Sequence, residues 1–266
     1  MKERAITGVI FVIVLISSLL LGKWSFATFF MLVSLLSLDE FYKIVNKDEI
    51  KPNRVSGLLL GLALLLSFSL FKIDVLSLNH FLYLIPFMTV VFWCELYRKS
   101  ESPFINIAYT FLGVIFAVIP FIFFINLGFL DGEYNFQYPL GFLILLWASD
   151  TGAYLAGMSF GKTKLFERHS PKKTWEGFFG GMALSVIASL TLSQFFLGID
   201  MWQWTVSSLL IVIFGTYGDL TESMLKRSYQ IKDSGNLLPG HGGLLDRFDG
   251  LLLAAPLVYA FWALTI

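Results

Sequence analysis

An all-α fold that crosses a membrane many times is what this sequence predicts, and three observations carry that reading. Hydrophobic residues make up 56% of the 266-residue chain and charged residues only 14%, against about 25% charged in soluble domains. Mean hydropathy is +0.74, and the apolar residues gather in runs near the ~20 residues that carry a helix across the hydrocarbon core. Those runs are continuously apolar, where a transmembrane barrel would alternate with period two.

Nine such segments follow one another, at 5–22, 24–41, 55–71, 75–97, 104–127, 138–158, 175–197, 202–220 and 248–266. The first begins directly after Met1-Lys2-Glu3-Arg4. It is as long as a bilayer span and no small-residue cleavage site follows, so a retained helix is expected and not a signal peptide. Asn79 and His80 interrupt the fourth segment; with Glu95 they read as local pairs or interfacial residues. Gly57-x-x-x-Gly61 and Gly177-x-x-x-Gly181 allow close helix packing, a commoner use of that spacing than a dimer interface. Trp202 and Trp204 fit an interfacial aromatic belt. Cys94, the one cysteine, excludes an internal disulfide and a Cys-rich metal site and reads as a small buried hydrophobe.

Orientation follows from the basic residues. With nine spans, one side of the membrane receives Lys2 and Arg4, then Lys43, Lys47, Lys51 and Arg54, then Arg98 and Lys99. The same side receives Lys162, Lys164, Arg168, Lys172 and Lys173, and finally Lys226, Arg227, Lys232 and Arg247. The other side receives Lys23 and Lys72 alone, so 17 of the 19 basic residues share one face. A wrong span count would scramble that asymmetry. The N-terminus is therefore expected in the cytosol. Residues 1–137 have short loops and few polar residues within spans, which suits a scaffold and a lipid-cavity wall. Residues 138–266 hold the two longest polar loops and the candidate chemistry.

If the eighth span continues as a helix past the membrane surface, Asp219, Glu222, Ser223 and Lys226 fall at i, i+3, i+4 and i+7 on one face. Asp246 and Asp249 share a face at the start of the ninth span. Carboxylates where helices meet the bilayer are costly unless paired or metal-bound. Their oxygens suit Mg²⁺ or another divalent cation, which typically takes one or two protein carboxylates and completes its shell with substrate phosphates. Lys226, Arg227, Lys232 and Arg247 would then face phosphate oxygens. The glycines around His241 let the backbone turn sharply and approach a ligand. A solvated loop needs no Pro-x-His-Gly-Gly ahead of an Asp-Arg-apolar-Asp helix start.

Residues 223–249 resemble the signature of the phosphatidate cytidylyltransferase (CDP-diacylglycerol synthase) family. That pattern runs Ser, Lys-Arg, Lys-Asp, His-Gly-Gly and Asp-Arg-apolar-Asp. Ser223, Lys226, Arg227, Lys232, Asp233, His241, Gly242, Gly243, Asp246, Arg247 and Asp249 fill its places without departure. A match of this length and density is far more specific than a lone glycine motif. A second stretch, Ser149-Asp150-Thr151-Gly152 through Ser170-Pro171-Lys172-Lys173-Thr174-Trp175-Glu176-Gly177, resembles segments upstream in the same family. Asp150 lies inside the sixth span, roughly 12 Å from its cytosolic end at ~1.5 Å per residue, and an intramembrane carboxylate suggests function. Pro171 fits just ahead of the seventh span. Lys172 and Lys173 could hold a triphosphate or lipid phosphate, whereas Lys164 and Arg168 read as positive-inside anchors.

The resemblance implies CTP and phosphatidate as substrates, CDP-diacylglycerol and pyrophosphate as products. It implies metal held by Asp219 and Asp246 with Asp249 or Glu222, and leaves room for a second ion. Asp150, Lys172, Lys173, Glu176, Lys226, Arg227, Lys232, Asp233, His241 and Arg247 would position or stabilise the reacting phosphates, and Ser223, Gly242 and Gly243 would contact the nucleotide. No dedicated base is required, because a phosphomonoester is largely ionised near neutral pH. The bilayer is a partner, nucleic acid is not expected, and a homodimer would be compatible with the family. Two rivals are a CTP-dependent lipid-alcohol kinase and a transporter. The first would leave CDP as product. The second would need polar residues through the full membrane depth, of which spans one, three and five carry almost none.

Overall fold

A computed structural model describes residues 2–47, 49–72, 77–237, 240 and 242–266, with the side chains of 2–5 and 78 excepted. Among these residues there are ten α-helices: α1 (Lys2–Leu20), α2 (Lys23–Val45), α3 (Arg54–Lys72), α4 (Leu84–Tyr97), α5 (Pro103–Ala117), α6 (Ile119–Leu127), α7 (Gln137–Phe160), α8 (Trp175–Phe195), α9 (Met201–Ser228) and α10 (Leu245–Thr265). A 3₁₀ turn, Leu78–Tyr83, leads into α4, and strands β1 (Lys164–Phe166) and β2 (Ser170–Thr174) pair antiparallel. Six stretches are long and apolar enough to cross a membrane: Arg54–Lys72, Asn79–Tyr97, Pro103–Leu127, Gln137–Phe160, Trp175–Phe195 and Leu245–Thr265. The chain is an all-α polytopic membrane protein. Helices α2 and α9, of 23 and 28 residues, join an apolar stretch to a charged end.

Two local departures from the sequence reading have clear causes. The apolar run 104–127 breaks into α5 and α6 at Val118, whose N–H still donates to Val114 O at 2.9 Å. Pro120, two residues on, has no N–H to continue the ladder, so the helix restarts around it. Pro171 does not precede a helix directly. It lies in β2, and Thr174 caps α8 by accepting from Gly177 N at 3.2 Å.

The described chain forms two compact units, Met1–Tyr134 with Asp233–Arg247, and Asn135–Lys232 with Phe248–Ile266. In the first, the rings of Phe26, Phe30 and Phe124 meet at tilted and edge-to-face angles with centroids 4.7–6.0 Å apart. Tyr42 is buried and its hydroxyl donates to Thr110 O at 2.7 Å. Its ring occupies the space that side chains at Gly57 and Gly113 would need, and Gly61 meets Leu38 and Val118. The first small-residue motif thus serves packing within the chain. Glu95 is buried, accepts from Asn106 Nδ2 at 2.6 Å and lies 3.5 Å from Arg98. His80 meets the Ser77 hydroxyl at 2.9 Å. Both are the local pairings expected. Cys94, by contrast, is exposed, because α4 turns most of its apolar side chains outward, with only 11% of its apolar window buried.

In the second unit, α7 and α8 meet through glycines. A Cβ on Gly152 would come 2.5 Å from Gly180 O, and one on Gly181 2.7 Å from Ser149 O. Trp262 donates through Nε1 to Ser207 Oγ at 2.7 Å and meets Tyr138 at a tilt and Trp204 edge to face. Trp202 is exposed, but Trp204 is fully buried and is no belt residue. Gly141, lacking a side chain, leaves the slot its ring fills.

Candidate active site

Helix α9 remains helical to Ser228, well past its apolar stretch, so Asp219, Glu222, Ser223 and Lys226 do share one face. Ser223 Oγ donates to Asp219 Oδ1 at 3.2 Å, and Lys226 Nζ lies 2.5 Å from Glu222 Oε2. Glu222 is fully buried, and pairing with Lys226 limits the cost of keeping a carboxylate there. Opposite Asp219 comes Lys173 of β2, with Nζ 2.5 Å from Oδ2. The hairpin therefore aims the second lysine of the pair; Lys172, its neighbour on the strand, is exposed.

Asp249 joins them because α9 and α10 pack closely here. A Cβ on Gly218 would run into the carbonyl oxygen of Asp249, and Gly215 packs against Gly250. One carboxylate oxygen from each of Asp219, Glu222 and Asp249 lies within 4.8 Å of the others. Asp150, exposed on α7, is within electrostatic range of Lys173 and Asp219. Asp249 likewise feels Asp219, Asp150 and Lys173. Four carboxylates and two ammonium groups are thus gathered by α7, β2, α9 and α10.

The donor set fits a hard divalent cation. It offers oxygen alone, and oxygens on opposite sides of one Mg²⁺ lie about 4.2 Å apart, a span compatible with three oxygens all within 4.8 Å of one another. Lys173 and Lys226 at its edge are suited to phosphate oxygens that would arrive with the ion.

Other predicted residues do different work. Glu176, in the first turn of α8, accepts from the backbone N–H of Lys162 and Thr163, each at 3.1 Å, and so ties down the start of the hairpin. Arg227 donates to Ile231 O at 3.1 Å and is exposed, as are Lys232, Asp233 and Arg247. His241 lies outside the described residues. Gly242 has φ +83°, which favours glycine. Asp246 Oδ2 accepts from Ser234 N at 2.8 Å, from Ser234 Oγ at 3.0 Å and from Gly243 N at 2.9 Å.

Comparison with known proteins matches residues 2–265 to the Cytidylyltransferase family. The chain belongs to the cytidylyltransferase family. The phosphatidate cytidylyltransferase of Bacillus subtilis is 35% identical over 99% of this chain and 98% of its own length. Those of Staphylococcus epidermidis and Staphylococcus aureus are 33% and 34% identical, each over 97% of both chains.

Within this cytidylyltransferase, two residues beside the signature loop were not singled out from sequence. Glu40 of α2 is buried, and it accepts from Leu244 N, Leu245 N and Ser234 Oγ at 2.9–3.0 Å. Ser234 is buried between Glu40 and Asp246. A signal for Glu40 exists in the sequence, since Asp39-Glu40 closes an otherwise apolar segment, where carboxylates are costly unless used. Its partners, about 200 positions away, leave no local trace.

Proposed function

We propose that the chain transfers the cytidylyl group of CTP to phosphatidate, forming CDP-diacylglycerol and pyrophosphate. The observation that carries this reading is similarity over nearly the whole length to phosphatidate cytidylyltransferases. The acidic cluster of Asp219, Glu222 and Asp249, edged by two lysines, supplies the chemistry such a transfer requires.

A phosphate oxygen of the lipid attacks the α-phosphorus of CTP. A new P–O bond forms, the bond from the α-phosphorus to the bridging oxygen breaks, and pyrophosphate leaves with the electron pair. Both reactants are anions, so their approach is strongly unfavourable without nearby positive charge. Asp219, Glu222 and Asp249 would hold a divalent cation such as Mg²⁺, and the signature implies Asp246 as a further metal ligand. When bound, that ion neutralises phosphate charge and stabilises the departing pyrophosphate. Lys173 and Lys226 supply fixed positive charge at the reacting phosphates. Asp150 orients Lys173, whose ammonium it attracts. Lys172, Arg227, Lys232 and Arg247, exposed on the polar segments, capture the triphosphate. Ser223, Gly242 and Gly243 are the signature's nucleotide-contacting residues, and Asp233 and His241 of the signature act with them. Glu176 acts indirectly, by holding the hairpin that carries Lys173.

The reading extends to place. The asymmetry of basic residues supports a cytosolic N-terminus, nine spans and a site facing the cytosol from the bacterial inner membrane, where CTP in water and phosphatidate in the leaflet both have access. Residues 1–137 form the scaffold and the lipid-cavity wall, and 138–266 the catalytic half.

The test uses purified protein, phosphatidate vesicles, Mg²⁺ and CTP labelled in the cytosine ring. Label in the lipid phase supports the transfer. Label confined to the aqueous phase, as CDP or CTP, excludes it.

A further inference from the structure

We infer that Glu40, a buried carboxylate of α2, is a positioning residue that sets the start of α10 and thereby the carboxylate of Asp246. The first turn of any helix leaves N–H groups with no partner inside the helix, and a capping side chain normally comes from the residue just before it. Here the cap comes from 204 and 205 positions away. Glu40 Oε1 accepts from Leu244 N and Oε2 from Leu245 N, both at 2.9 Å. Negative charge at a helix N-terminus is also favourable to the helix dipole.

The same carboxylate reaches Asp246 through one intermediary. Ser234 Oγ lies 3.0 Å from Glu40 Oε2 and 3.0 Å from Asp246 Oδ2. A hydroxyl has one proton, so the two acids share it, and Ser234 N adds a second bond to Asp246 at 2.8 Å. The surrounding backbone is cut to fit Glu40. A Cβ on Gly243 would overlap the Ser234 hydroxyl and the Glu40 carboxyl, and one on Gly235 would lie 2.8 Å from Glu40 Oε1. Burial leaves Glu40 6% exposed, so water cannot replace it. Without it, two N–H groups of Leu244 and Leu245, both buried, lose their acceptor and the turn carrying Asp246 is free to shift.

The functional half of this inference rests on the proposed nucleotidyl transfer; the capping half does not. Two variants test it. Glu40→Gln keeps the volume and one acceptor oxygen, and Glu40→Ala removes both acceptors. Amide hydrogen exchange of the segment 242–248 is measured in detergent alongside steady-state kinetics with labelled CTP. Exchange should accelerate in Glu40→Ala and less in Glu40→Gln, while segments in α7 and α8 exchange as before. A misplacement of ~1 Å can cost 10²-fold in rate. The kcat is therefore expected to fall about 10²-fold in Glu40→Ala, with partial rescue in Glu40→Gln and a phosphatidate KM within about twofold of the parent. Unchanged exchange in a folded Glu40→Gln protein overturns the capping. Faster exchange with full kcat in that variant overturns the link to catalysis. Should Glu40→Ala fail to fold, Glu40→Gln decides both points. If the parent protein moves no label into lipid, the functional reading has failed, and exchange alone still judges the cap.

Discussion

Lys173 Nζ sits 2.5 Å from Asp219 Oδ2, linking the hairpin strand β2 to helix α9. Both side chains are about a third exposed, at 28% and 31%. Such a pair contributes little to stability, about 0–1 kcal/mol, so its value must lie elsewhere. It keeps an ammonium group beside the acidic cluster, where a triphosphate would need one. The hairpin is the device that aims it. Glu176 grips the backbone of Lys162 and Thr163, and Thr174 ends the strand as the cap of α8.

Lys173→Met should therefore separate activity from stability. We expect cytidylyl transfer to fall by about 10²-fold or more, the scale of losing one preorganised electrostatic contact, with the thermal midpoint in detergent nearly unchanged. Lys172→Met, which removes an exposed charge on the same strand, should cost less. Initial rates and unfolding curves on both variants check this. Equal losses in the two would mean that the strand supplies only diffuse positive charge.

Glu222 and Lys226 should behave in the opposite way. Their side chains are 0% and 12% exposed. Removing one partner of a buried pair leaves the other uncompensated, typically at a cost of about 3–5 kcal/mol. Glu222→Gln and Lys226→Met should each lower stability markedly. The double variant should be less destabilised than the two losses added together. A double-mutant cycle by denaturation in detergent measures the coupling, and strict additivity would show that the two groups are independent.

Much of this arrangement was legible in the sequence, and the limits have physical reasons. The i, i+3, i+4, i+7 spacing of Asp219, Glu222, Ser223 and Lys226 required only that α9 stay helical, which it does to Ser228. The pairing of Lys173 with Asp219 was not legible, because it depends on a hairpin formed within a loop that hydropathy leaves blank. Glu40 was hidden for a related reason: hydrogen bonds to positions 244 and 245 have no periodicity to read. Trp204 looked interfacial by type and is buried, because the deciding residue is Gly141 on another helix. Cys94 looked buried by its apolar neighbours and is exposed. In a membrane protein, apolar surroundings in sequence do not distinguish a core from a lipid-facing surface.

Removing divalent cations tests the acidic cluster. Chelation with EDTA should abolish transfer, and added Mg²⁺ should restore it. Asp249→Asn removes one of three clustered carboxylates and should raise the Mg²⁺ concentration for half-maximal rate by about 10-fold or more, since hard cations depend on anionic oxygen ligands. Rate against Mg²⁺ concentration is the measurement. An unshifted curve would remove Asp249 from the ligand set.

The proposed orientation can be tested with the protein's own cysteine economy, since Cys94 is the one cysteine in the chain. In a Cys94→Ala background, Arg168→Cys places a thiol in the turn between β1 and β2, and Leu197→Cys places one after α8. Both sites are exposed, Leu197 at 75%. Positive charge on loops marks the cytosolic side, and Arg168 lies among five basic residues whereas no basic residue occurs between Lys173 and Lys226. In intact cells made permeable only at the outer envelope, a membrane-impermeant maleimide should label position 197 and spare 168 until the inner membrane is opened. The reverse pattern would invert the topology. Labelling at both positions in sealed cells would mean that α8 does not span the membrane, and the count of nine spans would have to be redrawn from that helix onward.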